Sequence, residues 1–173
     1  AVSILPQTGM QRLQLETLDA RELKRCKVVV LAGPRFVPNR DALMDYIYNG
    51  GAALFIDYGH DQVRDGSTLQ AVRAHLKVDP FVNPGEADLT AHVDFEPLAA
   101  LAPAHSYTTQ GAFLERLGIA ARAARLAANL TGAALESHLA AHHRLTHPAE
   151  MGSLFKVLAL TSTDAPLPPG FGP

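Results

Sequence analysis

Two short apolar runs, separated by a segment with helical spacing, constrain the fold of this chain most. Residues 28–32 read VVVLA and residues 52–56 read AALFI, and such runs of branched and aromatic side chains predict two buried strands. Between them, residues 41–48 have the spacing of a helix, which an Asn-Gly-Gly sequence ends. The order strand, helix, strand predicts a parallel α/β unit.

Outside the strand–helix–strand unit, the sequence predicts a polar insertion, several helices, further strands and a tail. Residues 61–86 are polar and broken by Gly and Pro, as in a functional loop or an insertion. A short helical stretch is predicted around residues 68–75, and a frayed tail over residues 166–173. The other predicted elements are a weak strand over 2–5, helices over 111–117, 120–130 and 133–144 with Gly118 joining the first two, a brief turn from His147-Pro148, and a final strand over 154–161.

Composition excludes several classes of function. The 173 residues suffice for one domain, and 15 basic against 17 acidic residues give no electrostatic support for binding nucleic acid. The single cysteine, Cys26, excludes an internal disulfide, suits a reducing compartment and has the surroundings of an ordinary thiol. No apolar run approaches the ~20 residues of a membrane span, and we expect no signal sequence at the start.

Residues 85–95, GEADLTAHVDF, alternate polar and apolar side chains. In an extended strand the polar groups would share one face, because successive side chains point to opposite sides. Two carboxylates, a hydroxyl and an imidazole can move protons, hold a cation or orient a polar substrate. The candidate site residues in this segment are Asp88, Thr90, His92 and Asp94.

A second candidate group follows the predicted strand over residues 52–56. Asp57, Tyr58 and His60 stand at its carboxyl end, where ligands gather in parallel sheets. The alternative is a simple turn, in which Gly59 supplies a positive φ.

Metal binding is a further alternative at two places. His138 and His142 are spaced to face one side of a helix and His143 and His147 lie nearby, but the glutamate of a zinc-protease helix is absent, which favours solvated histidines. Asp57, His60, His92 and Asp94 could serve as ligands in a metal-dependent hydrolase. The sequence has no G-x-S-x-G nucleophile motif, and its Gly-Phe-Gly lies in the tail, away from any strand-to-helix turn.

Several blocks resemble the MidA family, and they follow the order in which that family has them. The MidA family comprises S-adenosylmethionine-dependent methyltransferases and includes a mitochondrial complex I assembly factor that methylates arginine. The blocks are residues 50–61 (GGAALFIDYGHD), 68–71 with His75, Asp79-Pro80, 84–95 (PGEADLTAHVDF), 109–114 (TQGAFL) with 117–119, and 148–160 (PAEMGSLFKVLAL).

The resemblance implies an α/β fold of the class I, Rossmann-like methyltransferase type. Residues 28–32 and 52–56 would be late parallel strands, and residues 107–110 and 154–161 would form the terminal antiparallel pair. The chain would divide into a divergent or linker segment over 1–27, a carboxyl-terminal part of a methyltransferase domain over 28–161 with an insertion over 61–95, and a disordered tail over 162–173.

The chain also departs from the family pattern. The cofactor site of the family lies upstream of the matching blocks and needs a glycine-rich turn, an acidic residue for the ribose hydroxyls and an Asn-Glu-Phe segment, none of which is found in this sequence. The stretch between residues 95 and 107 is also shorter than in the family. The resemblance therefore predicts an amino-terminal cofactor half that is missing or divergent.

The resemblance implies methylation of an arginine-bearing protein with S-adenosylmethionine as the donor, linked to complex I assembly, in the bacterial cytoplasm or the mitochondrial matrix. Asp88 and Asp94 would orient the guanidinium, and His92 would accept a proton. Asp57, Tyr58, His60 and Thr90 complete the predicted site. The alternatives are a non-catalytic assembly module and the metal-dependent hydrolase.

Overall fold

The computed structural model describes residue 23 and residues 28–32, 39–60 and 66–172. The predicted strand over residues 2–5 and the interpretation of Cys26 lie outside the described residues. The described elements, in chain order, are β1 (Val28–Ala32), α1 (Arg40–Tyr48), β2 (Ala52–His60), β3 (Gln70–Arg73), β4 (Leu76–Val78), β5 (Asp88–Thr90), β6 (Val93–Asp94), α2 (Phe95–Ala99), β7 (Ala104–Thr109), α3 (Gln110–Arg116), α4 (Ile119–Ala127), α5 (Gly132–Thr146), a helical turn (Pro148–Gly152) and β8 (Phe155–Thr161).

The main sheet has the strand order β1-β2-β8-β7, with β6 paired to the end of β2. β1 pairs with β2 in parallel, while β8 is antiparallel to both β2 and β7. Two strands that are both antiparallel to a third run in the same direction, so β1, β2 and β7 are mutually parallel. This arrangement confirms the predicted late parallel strands and the terminal antiparallel pair.

A capping residue and an apolar face explain why helix α1 forms between β1 and β2. The Asn39 side chain accepts a hydrogen bond from the backbone N–H of Ala42 at 3.1 Å and so caps the first turn of α1. Leu43, Tyr46 and Ile47 lie on the buried side of that helix. The predicted helix over 41–48 and the strand over 28–32 are therefore confirmed.

The core lies on both faces of the main sheet. On one face, Phe55 and Leu158 pack with helix α1 and with Phe95 at the start of α2. On the other face, Leu54, Val157 and Ala159 pack against Phe113 of α3. Residues that are adjacent in β2 therefore serve opposite layers, as the pleat of a strand requires.

The insertion forms a small separate sheet with the strand order β4-β3-β5. The helical stretch predicted around residues 68–75 is wrong: β3 and β4 form a hairpin. Ala74 and His75 make its two-residue turn with φ of 49° and 64°, as in the turns that match the twist of paired strands. Pairing of β3 with both β4 and β5 outweighs the local helical spacing.

Residues 85–95 do not form one continuous strand. β5 ends at Thr90, β6 begins at Val93 and Phe95 opens helix α2. The prediction that Asp88, Thr90, His92 and Asp94 share one strand face is therefore wrong. The break has a physical cause, since β5 pairs within the insertion whereas β6 pairs with β2 of the main sheet.

The carboxyl-terminal elements agree with prediction except at the tail. Helices α3, α4 and α5, the turn that begins at Pro148, and strand β8 are confirmed, and Gly118 joins α3 to α4 at a φ of 83°. The frayed tail is wrong for residues 166–172, where Pro168 and Gly170 are buried and the ring of Phe171 lies 5.4 Å from that of Phe113. Within the described residues, no helix is long and apolar enough to cross a membrane.

Candidate functional site

The carboxyl ends of the parallel strands define the edge of the sheet at which ligands bind in α/β proteins. Because β8 is antiparallel, its first residues lie at this same edge. Tyr58 pairs there with Phe155, and Asp57 pairs with Lys156. β2 extends to His60, four residues beyond its predicted end, so Asp57, Tyr58 and His60 belong to the strand itself.

Two histidines meet at this edge. Nδ1 of His92 lies 2.9 Å from Nε2 of His60, which is hydrogen-bonding distance. Their ring centroids are 4.6 Å apart and the rings are tilted by 46°. The backbone N–H of His92 donates to Oγ1 of Thr68 at 3.0 Å. The insertion therefore brings one imidazole onto another that is fixed at the end of β2.

Aromatic rings flank the histidine pair. The Tyr58 ring meets that of His92 edge to face, with centroids 5.7 Å apart, and meets that of Phe155 in the same way at 5.5 Å. Sequence reasoning identified Tyr58, His60 and His92 but missed Phe155 and Thr68. The only signal for Phe155 is its place at the start of an apolar strand, because the register that sets it opposite Tyr58 depends on tertiary pairing.

Gly59 allows this close arrangement. A Cβ at residue 59 would lie 2.1 Å from the backbone oxygen of Val93 and 2.8 Å from the ring of Phe95. The alternative interpretation, a turn with a positive φ at Gly59, is wrong, because the residue lies within β2 and outside the positive-φ positions. Its role is close approach of two backbones.

Asp57 lies on the other face of the sheet from Tyr58 and His60, because adjacent residues of a strand alternate. Its Oδ1 accepts a hydrogen bond from the backbone N–H of Tyr58 at 2.8 Å. Burial raises the pKa of the Asp57 carboxyl, and the hydrogen bond from Tyr58 opposes this in part. The opposite residue, Lys156, directs its ammonium to the carbonyl oxygen of Ser153. The structure thus separates Asp57 from the histidine pair.

The raised pKa gives a testable pH dependence. The folded protein holds the Asp57 proton more tightly than the unfolded chain, so the contribution of this group to stability is fully present below its ordinary pKa of 3.8 and falls as the pH rises through the folded-state pKa. We expect Asp57→Asn to gain stability relative to wild type between acidic and neutral pH, as measured by urea unfolding. A difference that does not change with pH would contradict this assignment.

The other predicted site residues lie at two different places relative to the histidine pair. Asp94 is exposed and lies opposite His60 in the backbone register. Thr90 is half-buried opposite Gln70, and Asp88 is exposed opposite Val72, both in the insertion sheet. The structure therefore brings Tyr58, His60 and His92 into contact and places Asp94 beside them in register, while Asp88 and Thr90 belong to the neighbouring sheet.

Three of the four histidines of helix α5 and the following turn have structural contacts. His138 Nε2 donates to the carbonyl of Ala123 at 2.9 Å, so this half-buried residue is not simply solvated. His143 donates from Nδ1 to Glu150 at 2.9 Å and stacks on His147 with ring centroids 4.2 Å apart. Over the ranges that the structure describes, no group of three or more His, Cys, Asp or Glu side chains is placed to hold a metal ion.

Comparison with known proteins identifies relatives of this chain. Residues 34–113 match the family model described as "putative S-adenosyl-L-methionine-dependent methyltransferase". The Drosophila melanogaster protein arginine methyltransferase NDUFAF7 homolog, mitochondrial, is 38% identical over 118 residues, which are 65% of this chain and 27% of that protein. The Mus musculus protein arginine methyltransferase NDUFAF7, mitochondrial, is 36% identical over 121 residues, 64% of this chain and 26% of that protein. The chain thus spans about a quarter of the length of these curated relatives.

Solved structures agree with the sequence matches. A Burkholderia thailandensis protein crystallised with S-adenosyl-homocysteine is 32% identical, with a TM-score of 0.53 over 71% of this chain and 33% of that chain. A second crystal structure from the same bacterium is 30% identical, with a TM-score of 0.53 over 77% of this chain and 38% of its own. The strand order, the shared direction of β1, β2 and β7 and these matches together show an α/β methyltransferase fold. Residues 34–113 are similar to this S-adenosyl-L-methionine-dependent methyltransferase family.

Proposed function

We propose that this protein takes part in transferring a methyl group from S-adenosylmethionine to an arginine side chain of a protein. The observation that carries the proposal is the contact of Tyr58, His60 and His92 at the carboxyl edge of the parallel strands. The relatives are named protein arginine methyltransferases. They are also named mitochondrial, so we propose the mitochondrial matrix for this protein, with the bacterial cytoplasm as the alternative.

The rings at this edge fit a cationic group. A sulfonium or guanidinium cation is attracted to the face of an aromatic ring, and Tyr58 and Phe155 offer such rings within 5.5 Å of each other. We propose that these two residues hold the charged centre of the donor or of the acceptor. The bound donor would supply an electrophilic methyl group, and the side chains described here would position the acceptor.

The polar residues have distinct proposed roles. Asp94, exposed beside His60 in register, would orient the guanidinium through its carboxylate, and Asp88 could assist from the insertion. His92 would accept the proton that the attacked nitrogen releases. Alignment of the nitrogen with the methyl carbon would supply much of the rate, because methyl transfer depends strongly on proximity and orientation.

This proposal predicts the effect of Asp94→Asn in the protein expressed from its own gene. We expect kcat for methylation to fall by about 100-fold or more, because the guanidinium loses its charged partner. Affinity for S-adenosyl-homocysteine should stay within about twofold, as calorimetry would measure. The matched control is Asp164→Asn, an exposed carboxylate beyond β8, which should methylate normally. Normal turnover by Asp94→Asn would exclude the proposed role.

The comparisons favour the enzyme over the assembly module and the metal-dependent hydrolase considered from the sequence, since the matched proteins are named as methyltransferases. Calorimetry of this chain with S-adenosylmethionine separates the first two. Clear binding would exclude a module without a donor site. If the chain does not bind S-adenosylmethionine, the result would favour a site in which the described residues position the methyl acceptor and do not hold the donor.

A further inference from the structure

We infer that the insertion carries the docking surface for the protein that is methylated, and that this surface selects segments in which apolar and basic residues flank the arginine. This inference rests on the proposed function, because it names the class of acceptor for the same site. The surface is an exposed apolar patch on the insertion. Its members, called the insertion patch below, are Leu76, Val78, Phe81, Val82 and Leu89.

The side chains of the insertion patch are exposed although all five are large and apolar. Phe81 is 80% exposed, Leu76 is 69% exposed and Leu89 is 59% exposed. Single exposed apolar side chains are ordinary in soluble proteins. A group of them that is confined to one small sheet and its loop marks an interaction surface.

The strand register places three members of the insertion patch on one face of the insertion sheet. Val78 and Leu89 lie on either side of Ala71 in the register, and Leu76 is two residues from Val78 on the same strand. Directly opposed residues of antiparallel strands share a face, as do alternate residues of one strand. Ala71 is fully buried, so the exposed area comes from the larger side chains around it. Because neighbouring strands are about 4.8 Å apart, Val78 and Leu89 lie about 10 Å from each other.

The charge of the surrounding chain fits a cationic partner. Residues 78–115 contain six acidic residues and no Lys or Arg. The acidic residues are Asp79, Glu86, Asp88, Asp94, Glu96 and Glu115. Asp79 adjoins the insertion patch, since its Oδ1 accepts a hydrogen bond from the backbone N–H of Phe81 at 2.8 Å. Opposite charges across an interface speed association and exclude partners of the wrong sign, so a basic segment fits this surface and an acidic one does not.

The two basic residues of the insertion sheet leave this charge in place. Arg73 shares the face of the insertion patch, but its guanidinium is paired with Glu86 at 2.6 Å. Lys77 and Asp88 lie on the opposite face, where both stand opposite Val72 in the register. The face that holds the insertion patch therefore presents apolar side chains and a neutralised ion pair, with Asp79 beside them.

The insertion patch adjoins the candidate site. The backbone N–H of His92 donates to Oγ1 of Thr68 at 3.0 Å, which ties the insertion to the histidine pair. Leu89 lies three residues before His92, and a chain of that length spans at most about 11 Å. A few extended residues of a partner span the same distance. A bound segment can therefore contact the insertion patch while its arginine reaches the edge of the sheet beside Asp94.

An array of immobilised peptides tests the docking surface without methyl transfer. Each peptide carries one central arginine, and its flanking residues are apolar and basic, apolar and acidic, or serine alone. The probe is the fluorescently labelled protein expressed from its own gene, without donor. We expect the apolar and basic peptides to bind about tenfold more tightly than either other set, because they meet both the apolar side chains and the carboxylates. Equal binding to all three sets would overturn the inference.

Variants of the insertion locate the binding surface. The double variant Leu76→Ser/Phe81→Ser removes exposed apolar area and should weaken binding of the apolar and basic peptides about tenfold. Asp79→Asn keeps the acceptor for the backbone N–H of Phe81 but loses the charge, and should reduce the preference for basic flanks about threefold. The matched control is Leu139→Ser, which is 52% exposed on α5 and should bind like the wild type. Insertion variants that bind like the wild type would exclude the insertion patch.

Methyl transfer to the same peptides separates this inference from the proposed function. We expect the double variant to raise KM for the apolar and basic peptides about tenfold with kcat within about twofold of wild type, because it removes binding away from the reacting atoms. If wild type and double variant methylate with equal KM, the inference fails and the proposed function stands. If the wild type transfers no methyl group, the proposed function fails, and the binding pattern still decides whether the insertion patch docks such segments. Light scattering that shows a dimer which the double variant dissociates would assign the patch to a second copy of this chain and overturn the inference.

Discussion

Replacing Gly59 by alanine is expected to lower the free energy of unfolding by about 3 kcal/mol, near the upper end of the usual cost of overpacking. The added methyl would meet two groups that cannot yield easily: the backbone oxygen of Val93 at 2.1 Å and the ring of Phe95 at 2.8 Å. Relief requires β6 to move away from β2. Because His92 immediately precedes β6, the same movement should break the hydrogen bond between His60 and His92.

Urea unfolding of Gly59→Ala measures the loss of stability. The scalar coupling between the ring nitrogens of His60 and His92, observed by nuclear magnetic resonance of the ¹⁵N-labelled protein, measures the loss of their hydrogen bond. The matched control is Gly172→Ala, since a Cβ at residue 172 meets no atom within 4 Å. We expect the control to change stability by less than about 0.5 kcal/mol and to keep the coupling. A Gly59→Ala variant as stable as the wild type would show that β6 can shift freely.

Truncation of Phe95 to alanine is expected to cost about 4 kcal/mol of stability. The side chain is 1% exposed and packs in the core face that contains Phe55 and Leu158. Its ring also meets that of Tyr107 edge to face at 5.8 Å. Removing it would leave a cavity under the junction of the insertion with the main sheet, where surrounding strands restrict collapse.

The comparison variant is Phe81→Ala, which removes the same atoms from a residue that is 80% exposed on the insertion. We expect its free energy of unfolding to stay within about 0.5 kcal/mol of wild type. Chemical denaturation of both variants under the same conditions gives the difference directly. Equal losses for Phe95→Ala and Phe81→Ala would contradict the core position of Phe95.

The sequence predicts the framework of the fold because its elements have strong local signals. Val28–Ala32 is continuously apolar, α1 has a capping residue at Asn39, and residues 154–161 are continuously apolar apart from Lys156 and Thr161. The extension of β2 to His60 has no such signal. Asp57 and Tyr58 are polar or amphipathic, and they stay extended because Lys156 and Phe155 pair with them.

The candidate site was predictable in its residues but not in its arrangement. Position after a buried strand identified Tyr58 and His60, and residue chemistry identified His92. The contact between the rings of His60 and His92 depends on where β6 pairs with β2. The alternation of polar and apolar residues does not determine this long-range pairing. The alternation of polar and apolar residues also wrongly predicted that Asp88 and Thr90 share a strand face with His92, because β5 belongs to the insertion sheet.

The position of β8 has a consequence for the order in which the protein is assembled. β8 lies between β2 and β7, yet its residues are synthesised after both, so these two strands have no common neighbour until residues 155–161 leave the ribosome. Until then β2 presents an unpaired apolar edge of the kind that promotes aggregation, and β7, whose sequence is AHSYTT, presents an unpaired edge that is mostly polar. Pairing of β2 with β8 joins residues about a hundred positions apart, and such distant contacts slow folding. The last strand to emerge therefore completes the centre of the sheet, and with it the Tyr58–Phe155 side of the site.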